Sequence, residues 1–322
     1  MADGHRRGSG NSALFRELSL TASSVGNGAA GNGAARRRAM QSGAPWTLRL
    51  LGLLLASCAL LGVWAFWIEP QRLVVREVQL TLPHWPAEQD GLRVALLSDL
   101  HVGSPYWPLE RLQSLVEITN REQPDLVLLA GDYLINGVRF GKWVDPESIA
   151  RVLGGLHAPL GVVGVLGNHD WWNGGPRVRR ALASAGIVVL DNEVHELQHG
   201  GSRFFIVGLA DLLTRRVEPR ATEALVPRGE PFLVLSHEPD VFPDIDARAA
   251  LTLAGHTHGG QVNLPFLGRL IVPSDYGQRY AAGHIVEGGR HLFVTTGVGT
   301  SIFPVRFGVP PEVVILELRS EP

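Results

Sequence analysis

Four short apolar runs in the chain each end in polar residues. They read RVALLSD, PDLVLLAGD, GVVGVLGNHD and PFLVLSHEPD. A continuous apolar run of about four to eight residues, bounded by turn residues, is typical of a strand buried on both faces. The run VQLTL, at 78–82, alternates apolar and polar residues instead, which predicts a half-buried strand. The pattern therefore predicts a sheet with buried central strands.

Helical periodicity appears between the first two of these runs. Apolar residues recur at helical spacing after Pro108, which suits a first helical turn: Leu109, Leu112, Leu115 and Val116. Residues 176–185 resemble a second helical connector, and SRFFIVGL, HLFVTTG and EVVILEL add strands toward the C terminus. Strands that alternate with helices predict one layered α/β domain with two sheets packed together.

The N-terminal part of the chain follows neither pattern. Residues 1–44 are rich in Gly, Ala, Ser and Asn, a composition that buries too little apolar surface to offset chain entropy, so we predict a disordered tail. Leu50 to Ile68 run without a charge, and as a helix they would span about 28 Å, close to the hydrocarbon thickness of a bilayer. We therefore predict a transmembrane anchor over 45–69 and one catalytic domain over 70–322.

Other interpretations of this apolar segment stay open. A buried helix of a soluble protein has a similar composition, and LASC at 55–58 resembles a lipoprotein cleavage site. The residues that follow Cys58 stay apolar up to Ile68 instead of becoming a polar tether, which favours an uncleaved anchor. The RRR at 36–38 lacks the neighbouring residues of a twin-arginine signal.

Arginines are unevenly distributed on the two sides of the predicted anchor. On the N-terminal flank of its charge-free stretch, Arg36, Arg37, Arg38 and Arg49 outnumber Arg72 and Arg76, which follow that stretch closely. The positive-inside rule then predicts a single-pass protein of the cell inner membrane with its catalytic domain outside the cytoplasm. This bias disappears if translation begins at Met40.

Composition restricts the chemistry of the domain. The formal net charge is -2 and the pI is about 6.6, so no excess of basic residues indicates a nucleic-acid partner. Cys58 is the only cysteine, which excludes an internal disulfide and a thiolate metal cluster. Any metal site must therefore use His, Asp, Glu and Asn.

Polar residues of the ligand types follow five of the predicted strands. They are Asp99 and His101; Asp132; Asn168, His169 and Asp170; His237; and His256 and His258. The carboxyl ends of strands are where open α/β sheets gather ligand groups. In extended backbone, side chains one residue apart point the same way, so each one-residue pair is expected to converge. Gly131, Gly167 and Gly255 precede three of these groups and allow close backbone approach.

The ligand types indicate a dinuclear hydrolase. Mixed carboxylate, imidazole and carboxamide groups suit transition metals such as Mn, Zn or Fe better than Mg or Ca. Two divalent ions about 3.5 to 4 Å apart can share a carboxylate and a bridging hydroxide, which attacks a phosphoryl group that both ions hold. We accordingly expect His256 and His258 to reach different ions.

The chain resembles the calcineurin-like metallophosphoesterase superfamily. The motifs DxH, GD, GNH[DE], H and GHxH occur complete and in order, from Asp99 to His258, within a similarity that covers Arg76 to Leu318. VLGNHDWW and GHTHGGQV resemble a bacterial membrane-anchored branch of phosphodiesterases, some of which cleave UDP-diacylglucosamine. The resemblance implies a four-layer α/β/β/α sandwich preceded by one transmembrane helix.

The resemblance also implies roles for individual residues. The first ion would be held by Asp99, His101 and His258, and the second by Asn168, His237 and His256. Asp132 would bridge the two ions. His169, oriented by Asp170, would stabilise or protonate the departing oxygen. Arg139, Arg279 and Arg306 are weaker candidates for contacts with phosphate.

Several functions remain possible at this point. GDYLING and GNHD depart from the GDxxDRG and GNHE of protein serine/threonine phosphatases, which argues against a phosphoprotein substrate. The short segment between Ile68 and the first strand favours a lipid-linked or nucleotide-lipid phosphodiester or pyrophosphate. A soluble nucleotide or phosphomonoester is the alternative. An amidohydrolase fits less well, because its histidine pair usually comes at the first strand and here the pair comes last. A non-catalytic membrane scaffold fits less well, because such a relative would be expected to have lost metal ligands and no ligand motif is lost here.

Overall fold

The computed structural model describes residues 45–321, so the predicted tail at 1–44 lies outside the described residues. Its α-helices are α1 Trp46–Val63, α2 Leu109–Arg121, α3 Pro146–Leu153, α4 Asn168–Trp172, α5 Gly175–Ser184 and α6 Pro219–Glu223. The first five strands are β1 Val74–Leu82, β2 Leu92–Leu97, β3 Leu126–Leu129, β4 Val162–Val165 and β5 Val188–Leu190. The next four are β6 Glu193–His199, β7 Ser202–Gly208, β8 Phe232–Leu235 and β9 Leu251–Ala254. The last five are β10 Asn263–Leu264, β11 Gly268–Arg269, β12 Gly283–Glu287, β13 Arg290–Val294 and β14 Glu312–Ser320.

Twelve of these strands form two six-stranded sheets. The first sheet has the order β1-β14-β2-β3-β4-β5, and the second has the order β12-β13-β9-β8-β7-β6. In the first sheet β2, β3, β4 and β5 are parallel, and helices α2, α3 and α5 connect them. In the second sheet β7, β8, β9 and β13 are parallel. Parallel order places the carboxyl ends of these central strands at one edge of each sheet.

The two sheets pack face to face through a shared apolar core. Leu96 and Leu128 of the first sheet belong to the same buried cluster as Ile206 and Leu253 of the second. Helices α2, α3 and α5 cover the outer face of the first sheet. The outer face of the second sheet is covered more thinly, by short helical turns around Val241 and by the loops near Val226. The predicted four-layer α/β/β/α arrangement is confirmed.

Helix α1 is apolar on every side and exposed. The helical segment Trp46–Gln71 includes an 18-residue stretch whose mean hydropathy is 2.2 and of which only 6% is buried, so the segment is long and apolar enough to cross a membrane. A helix that is hydrophobic all round is stable either inside a protein core or in a bilayer. Because the described part of α1 has no buried residue, the alternative of a buried core helix is not supported.

The residues that follow α1 pack onto the domain. Ala65 and Glu69 are buried, and the Ala65 carbonyl accepts a hydrogen bond of 2.9 Å from the Arg306 amide. The Glu69 carboxylate accepts a bond of 2.7 Å from the Val309 amide and one of 2.5 Å from the Trp64 indole. The end of the apolar segment is therefore held to the loop over residues 301–309 by hydrogen bonds.

Arg306 stabilises this loop from inside. Its guanidinium is fully buried and donates hydrogen bonds to the backbone carbonyls of Thr296, Gly297, Gly299 and Val309. Burial lowers the pKa of Arg306 to about 10, which leaves it charged at neutral pH. The suggestion that Arg306 contacts phosphate is therefore wrong, because backbone oxygens occupy its donors.

Replacement of Arg306 by Met should destabilise the chain strongly. The substitution leaves buried carbonyls without donors, and each unsatisfied group costs about 1–3 kcal/mol. We expect the melting temperature in detergent to fall by about 10 °C or more, at roughly 2–4 °C per kcal/mol. The exposed Arg151 on α3 provides the control, since Arg151→Met should change stability by less than about 0.5 kcal/mol. Equal melting temperatures for both variants would contradict the role given to Arg306.

Candidate metal centre

All the predicted site residues lie at one edge of the paired sheets. Asp99 follows β2, Asp132 follows β3, Asn168 follows β4, His237 follows β8 and His256 follows β9. Both sheets thus contribute, and the strand-end positions predicted from the sequence lie together. With the exception of His256, which is partly exposed, these residues are buried.

The backbone at these residues is left-handed rather than extended. The φ angles of Asp99, His101, His256 and His258 are 53°, 40°, 67° and 50°, and that of Asp132 is 57°. Positive φ is uncommon outside glycine and is maintained only where the surrounding structure enforces it, often at functional sites. The expectation that paired ligands converge because their backbone is extended is therefore wrong. Sharp left-handed turns aim these side chains instead.

Two glycines leave the space that the cluster needs. A Cβ atom on Gly167 would collide with Asp132 Oδ1 and lie 2.7 Å from His237 Nε2. A Cβ atom on Gly255 would collide with Ser98 Oγ and lie 2.6 Å from Asp99 Oδ2. These glycines are required for close approach, as the sequence predicted.

Asp99, His101 and His258 form the first group of candidate ligands. His258 Nε2 lies 3.3 Å from Asp99 Oδ1 and 3.0 Å from His101 Nε2. Their ligand atoms lie within 4.8 Å of one another, a separation that a single metal ion could bridge. The structure thus brings together the three residues expected for one ion.

Asp132, Asn168, His237 and His256 form the second group. His237 Nε2 lies 3.3 Å from Asp132 Oδ2, 3.2 Å from Asn168 Oδ1 and 3.1 Å from His256 Nδ1. Asp132 Oδ2 is also 3.6 Å from His101 Nε2 in the first group. Asp132 is therefore placed between the two groups, and His256 and His258 belong to different ones.

Hydrogen bonds on the far side of two rings fix their orientation. His101 Nδ1 donates to the Leu134 carbonyl over 3.1 Å, and His237 Nδ1 donates to the Ala130 carbonyl over 2.7 Å. A carbonyl oxygen only accepts, so each Nδ1 carries a proton and each Nε2 faces the cluster. Such backbone partners commonly orient metal-bound histidines.

Burial and neighbouring charge set the protonation of the cluster. Burial, with help from His169, lowers the pKa of His101 to about 3, and burial together with His237 lowers that of His256 to about 3. Both rings are neutral at pH 7 and offer lone pairs. Burial opposes a charge on Asp132 and His237, but their mutual attraction holds the pKa of Asp132 well below and that of His237 well above the usual range. A cation that binds here would displace the His237 proton.

The cluster fits divalent metal ions. Asp99 Oδ1 is buried and has no hydrogen-bond partner among the described residues, which is costly unless a cation compensates it. The donors are imidazole nitrogens, carboxylate oxygens and a carboxamide, the set that suits Mn, Fe or Zn.

The Asp170 carboxyl group does not contact the His169 ring, contrary to expectation. The His169 ring borders a cavity beside the cluster, with Nε2 4.0 Å from Asp132 Oδ2 and a buried Nδ1 that lacks a partner among the described residues. The Asp170 carboxyl group accepts hydrogen bonds from the backbone amides of Asp132, Tyr133, Leu134 and Gly167. Direct orientation of the His169 ring by Asp170 is therefore not observed. Asp170 instead holds the turn that carries Asp132.

The cavity is lined by several residues that the sequence did not indicate as part of a site. It measures about 460 Å³, and apart from candidate ligands its walls are mainly apolar: Val262, Leu270, Ile271, Pro273, Ile302, Phe303 and Val305. In the sequence these residues are apolar positions that fit neither helical nor strand periodicity, and this was the only indication of an apolar cavity wall. Arg279 does not line the cavity and forms an ion pair of 2.6 Å with Glu287, so it is not free to bind phosphate there.

The chain is similar to several known proteins. The family described as calcineurin-like phosphoesterase matches residues 92–267. The uncharacterized metallophosphoesterase YkuE of Bacillus subtilis is 32% identical over 80% of this chain and 89% of its own length. The phosphodiesterase YaeI of Escherichia coli is 35% identical over 70% of this chain and 82% of its own. The UDP-2,3-diacylglucosamine pyrophosphatase LpxG of Chlamydia trachomatis is 27% identical over 84% of this chain and 97% of its own.

The family match spans the strand ends at which Asp99, Asp132, Asn168, His237 and His256 are assembled, and two relatives exceed 30% identity. Two relatives are named for phosphodiesterase and pyrophosphatase activities, and the carboxylate and imidazole groups at the sheet edge could hold divalent metal ions. The chain belongs to the calcineurin-like phosphoesterase family and is a metal-dependent phosphoric ester hydrolase.

Proposed function

We propose that the protein uses two divalent metal ions to hydrolyse a phosphodiester or pyrophosphate bond of a lipid-linked or nucleotide-lipid substrate. The observation that supports this most directly is the position of Asp132. Its Oδ2 atom lies 3.3 Å from His237 Nε2 in one ligand group and 3.6 Å from His101 Nε2 in the other. A carboxylate shared between two groups is the arrangement that a dinuclear site requires.

The metal ions and the residues of the chain would have different roles in the reaction. When bound, the two ions would activate water as the nucleophile and neutralise the charge on the phosphoryl oxygens. Asp99, His101 and His258 would hold one ion, and Asn168, His237 and His256 the other, with Asp132 shared. Asp170 keeps the Asp132 turn in place through its bonds to the backbone amides of 132–134.

The location of His169 supports a role in acting on the substrate. Its ring borders the cavity and its amide donates to Asp132 Oδ1 over 2.9 Å, which fixes the residue beside the cluster. We infer that the imidazole contacts the departing oxygen and delivers a proton to it as the phosphorus–oxygen bond breaks. A proton donated at this stage neutralises the negative charge that develops on the leaving oxygen, whether the leaving group is an alkoxide or a phosphate.

The proposed lipid substrate rests on three observations. The chain has an exposed apolar helix long enough to cross a bilayer, and the end of that segment is fastened to the domain through Ala65 and Glu69. The cavity beside His169 is mainly apolar. Two relatives are named for phosphodiesterase and diacylglucosamine pyrophosphatase activities. Restriction of enzyme and lipid to one surface raises their effective concentration.

We also propose that the protein is a single-pass protein of the cell inner membrane with its catalytic domain outside the cytoplasm. Support comes from the excess of arginines on the N-terminal flank of the charge-free stretch, where Arg36, Arg37, Arg38 and Arg49 lie. Protease protection of the domain in sealed spheroplasts would contradict this orientation.

Replacement of Asp132 by Asn should remove metal and activity together. The substitution takes away the anion shared by both ligand groups but keeps the shape of the side chain. We expect metal content, measured by elemental analysis of the purified protein, to fall well below about two ions per chain, with turnover lost and the melting profile retained. Full turnover by Asp132→Asn would refute the dinuclear assignment.

Replacement of His169 by Asn should separate metal binding from catalysis. If His169 is a proton donor and not a ligand, metal content stays at the wild-type level while kcat falls by about 10² to 10⁴. The loss should be smaller for a substrate whose leaving group is already a weak base, such as a nitrophenyl diester. A fall in metal content would instead identify His169 as a ligand.

Removal of the anchor should affect lipid and soluble substrates differently. A chain that begins at Trp64 keeps Ala65 and Glu69, whose contacts hold the 301–309 loop. We expect it to retain its rate on a small soluble diester and to lose about 10²-fold in rate on lipid in vesicles. If both forms hydrolyse a soluble nucleotide efficiently and neither cleaves any lipid, the anchor serves only for localisation.

A further inference from the structure

The cavity beside the metal centre joins a cluster of ionisable side chains to mainly apolar walls. Asp132, His169, His256 and His258 line it, and in the proposed function they would face the reacting phosphate. The other walls are mainly apolar, and the volume of about 460 Å³ lies within the usual range for a small-molecule site. A molecule that fills the whole cavity must therefore be an amphiphile with its phosphate near the metals.

Two loops that are bonded to each other form the apolar walls. The first, over residues 260–273, contributes Leu270 and Ile271, and the second, over 301–305, contributes Ile302 and Phe303. The Asn263 amide donates to the Phe307 carbonyl over 2.8 Å, and Val262 and Phe307 form a β-bridge. The walls are therefore one connected structure and not two independent loops.

Two of the polar side chains along these walls, those of Gln261 and Thr257, already form hydrogen bonds within the protein. The Gln261 carboxamide donates to the Ser301 carbonyl over 3.1 Å and accepts from the Ser301 amide over 2.7 Å. Thr257 Oγ1 donates to the Ala281 carbonyl over 2.7 Å. A sugar or nucleobase in this part of the cavity would find few free hydrogen-bonding groups, whereas a hydrocarbon needs none.

The wall residues expose large apolar side chains to solvent. Leu270, Ile271, Ile302 and Phe303 are 67%, 79%, 64% and 51% exposed. Contiguous apolar exposure of this kind on a soluble surface marks a site for a ligand, a protein or a membrane. Ile302 also has a φ of 60°, which is a strained backbone conformation for a β-branched residue. Glycine would adopt this conformation more easily, so the isoleucine side chain is expected to have a role here.

The end of the apolar N-terminal segment lies against the same wall. The Arg306 amide, next to the cavity residue Val305, donates to the Ala65 carbonyl, and the Val309 amide donates to Glu69. The position at which the apolar segment ends is thus a direct neighbour of the cavity. A hydrocarbon chain that leaves a bilayer there would meet apolar side chains before it met the metal centre.

We propose that this cavity binds one acyl chain of the substrate, and that Leu270, Ile271, Ile302 and Phe303 determine specificity for chain length. This inference rests on the proposed lipid phosphoesterase function and extends it to a defined subsite. Each methylene buried in the cavity should favour binding about fourfold relative to water.

The test compares chain lengths within each variant of the full-length protein. Synthetic phosphodiesters with one nitrophenyl group and one alkyl chain of six or twelve carbons are presented in the same detergent micelles with Mn²⁺. The quantity measured is the ratio of kcat/KM for the long chain to that for the short chain. The double variant L270N/F303N alters the walls, and L225N/V286N removes exposed apolar residues that do not line the cavity.

We expect the wild type and L225N/V286N to share a ratio of about 10 or more, and L270N/F303N to have a ratio near one. If all three proteins cleave both synthetic esters with the same ratio, the acyl-chain site is overturned and the phosphoesterase function stays intact. Absence of cleavage of either ester by wild-type protein that holds metal would instead overturn the proposed function. Because each ratio is internal to one protein, partial misfolding of a variant cannot imitate the expected result.

Discussion

The structure depends on the burial of carboxylates and imidazoles at the edge where two sheets meet. Charged and polar groups are stable in such a place only when each has a partner. The chain supplies partners on the outer side of the cluster, where His101 and His237 donate to backbone carbonyls and Asp170 accepts from the amides of 132–134. On the inner side the ligand atoms face one another, and a cation satisfies them best.

This requirement explains the unusual backbone around the site. The candidate ligands reach a common centre because five of them adopt left-handed conformations, and Gly167 and Gly255 leave no side chain in the way. Strain of this kind is offset by the packing of the sheets behind it, where Leu96, Leu128 and Leu253 are fully buried. A rigid core and a strained edge together give a site whose geometry is fixed before substrate binds.

The region around Arg306 connects the site to the apolar N-terminal segment. Its guanidinium orders the carbonyls of 296–299, while its own amide bonds to Ala65. The same loop forms one wall of the apolar cavity through Ile302 and Phe303. One short segment therefore supports three features: the cavity, the backbone of residues 296–299 and the attachment of the apolar segment. The buried guanidinium of Arg306 stabilises this structure and does not bind phosphate.

The sequence by itself determined the features that depend on local composition. Apolar runs such as LVLL and FLVL predicted the buried strands, the charge-free segment predicted the exposed apolar helix, and polar residues at strand ends predicted which side chains would gather. Only the tertiary structure decided how they gather. Packing of the two sheets against each other placed His237, which follows β8, beside Asp132, which follows β3. Left-handed turns replaced the extended backbone that was expected, and Asp170 bonded to amides and not to His169. The apolar cavity and the burial of Arg306 were equally beyond the sequence, because they arise from contacts between segments far apart in the chain, which no local periodicity encodes.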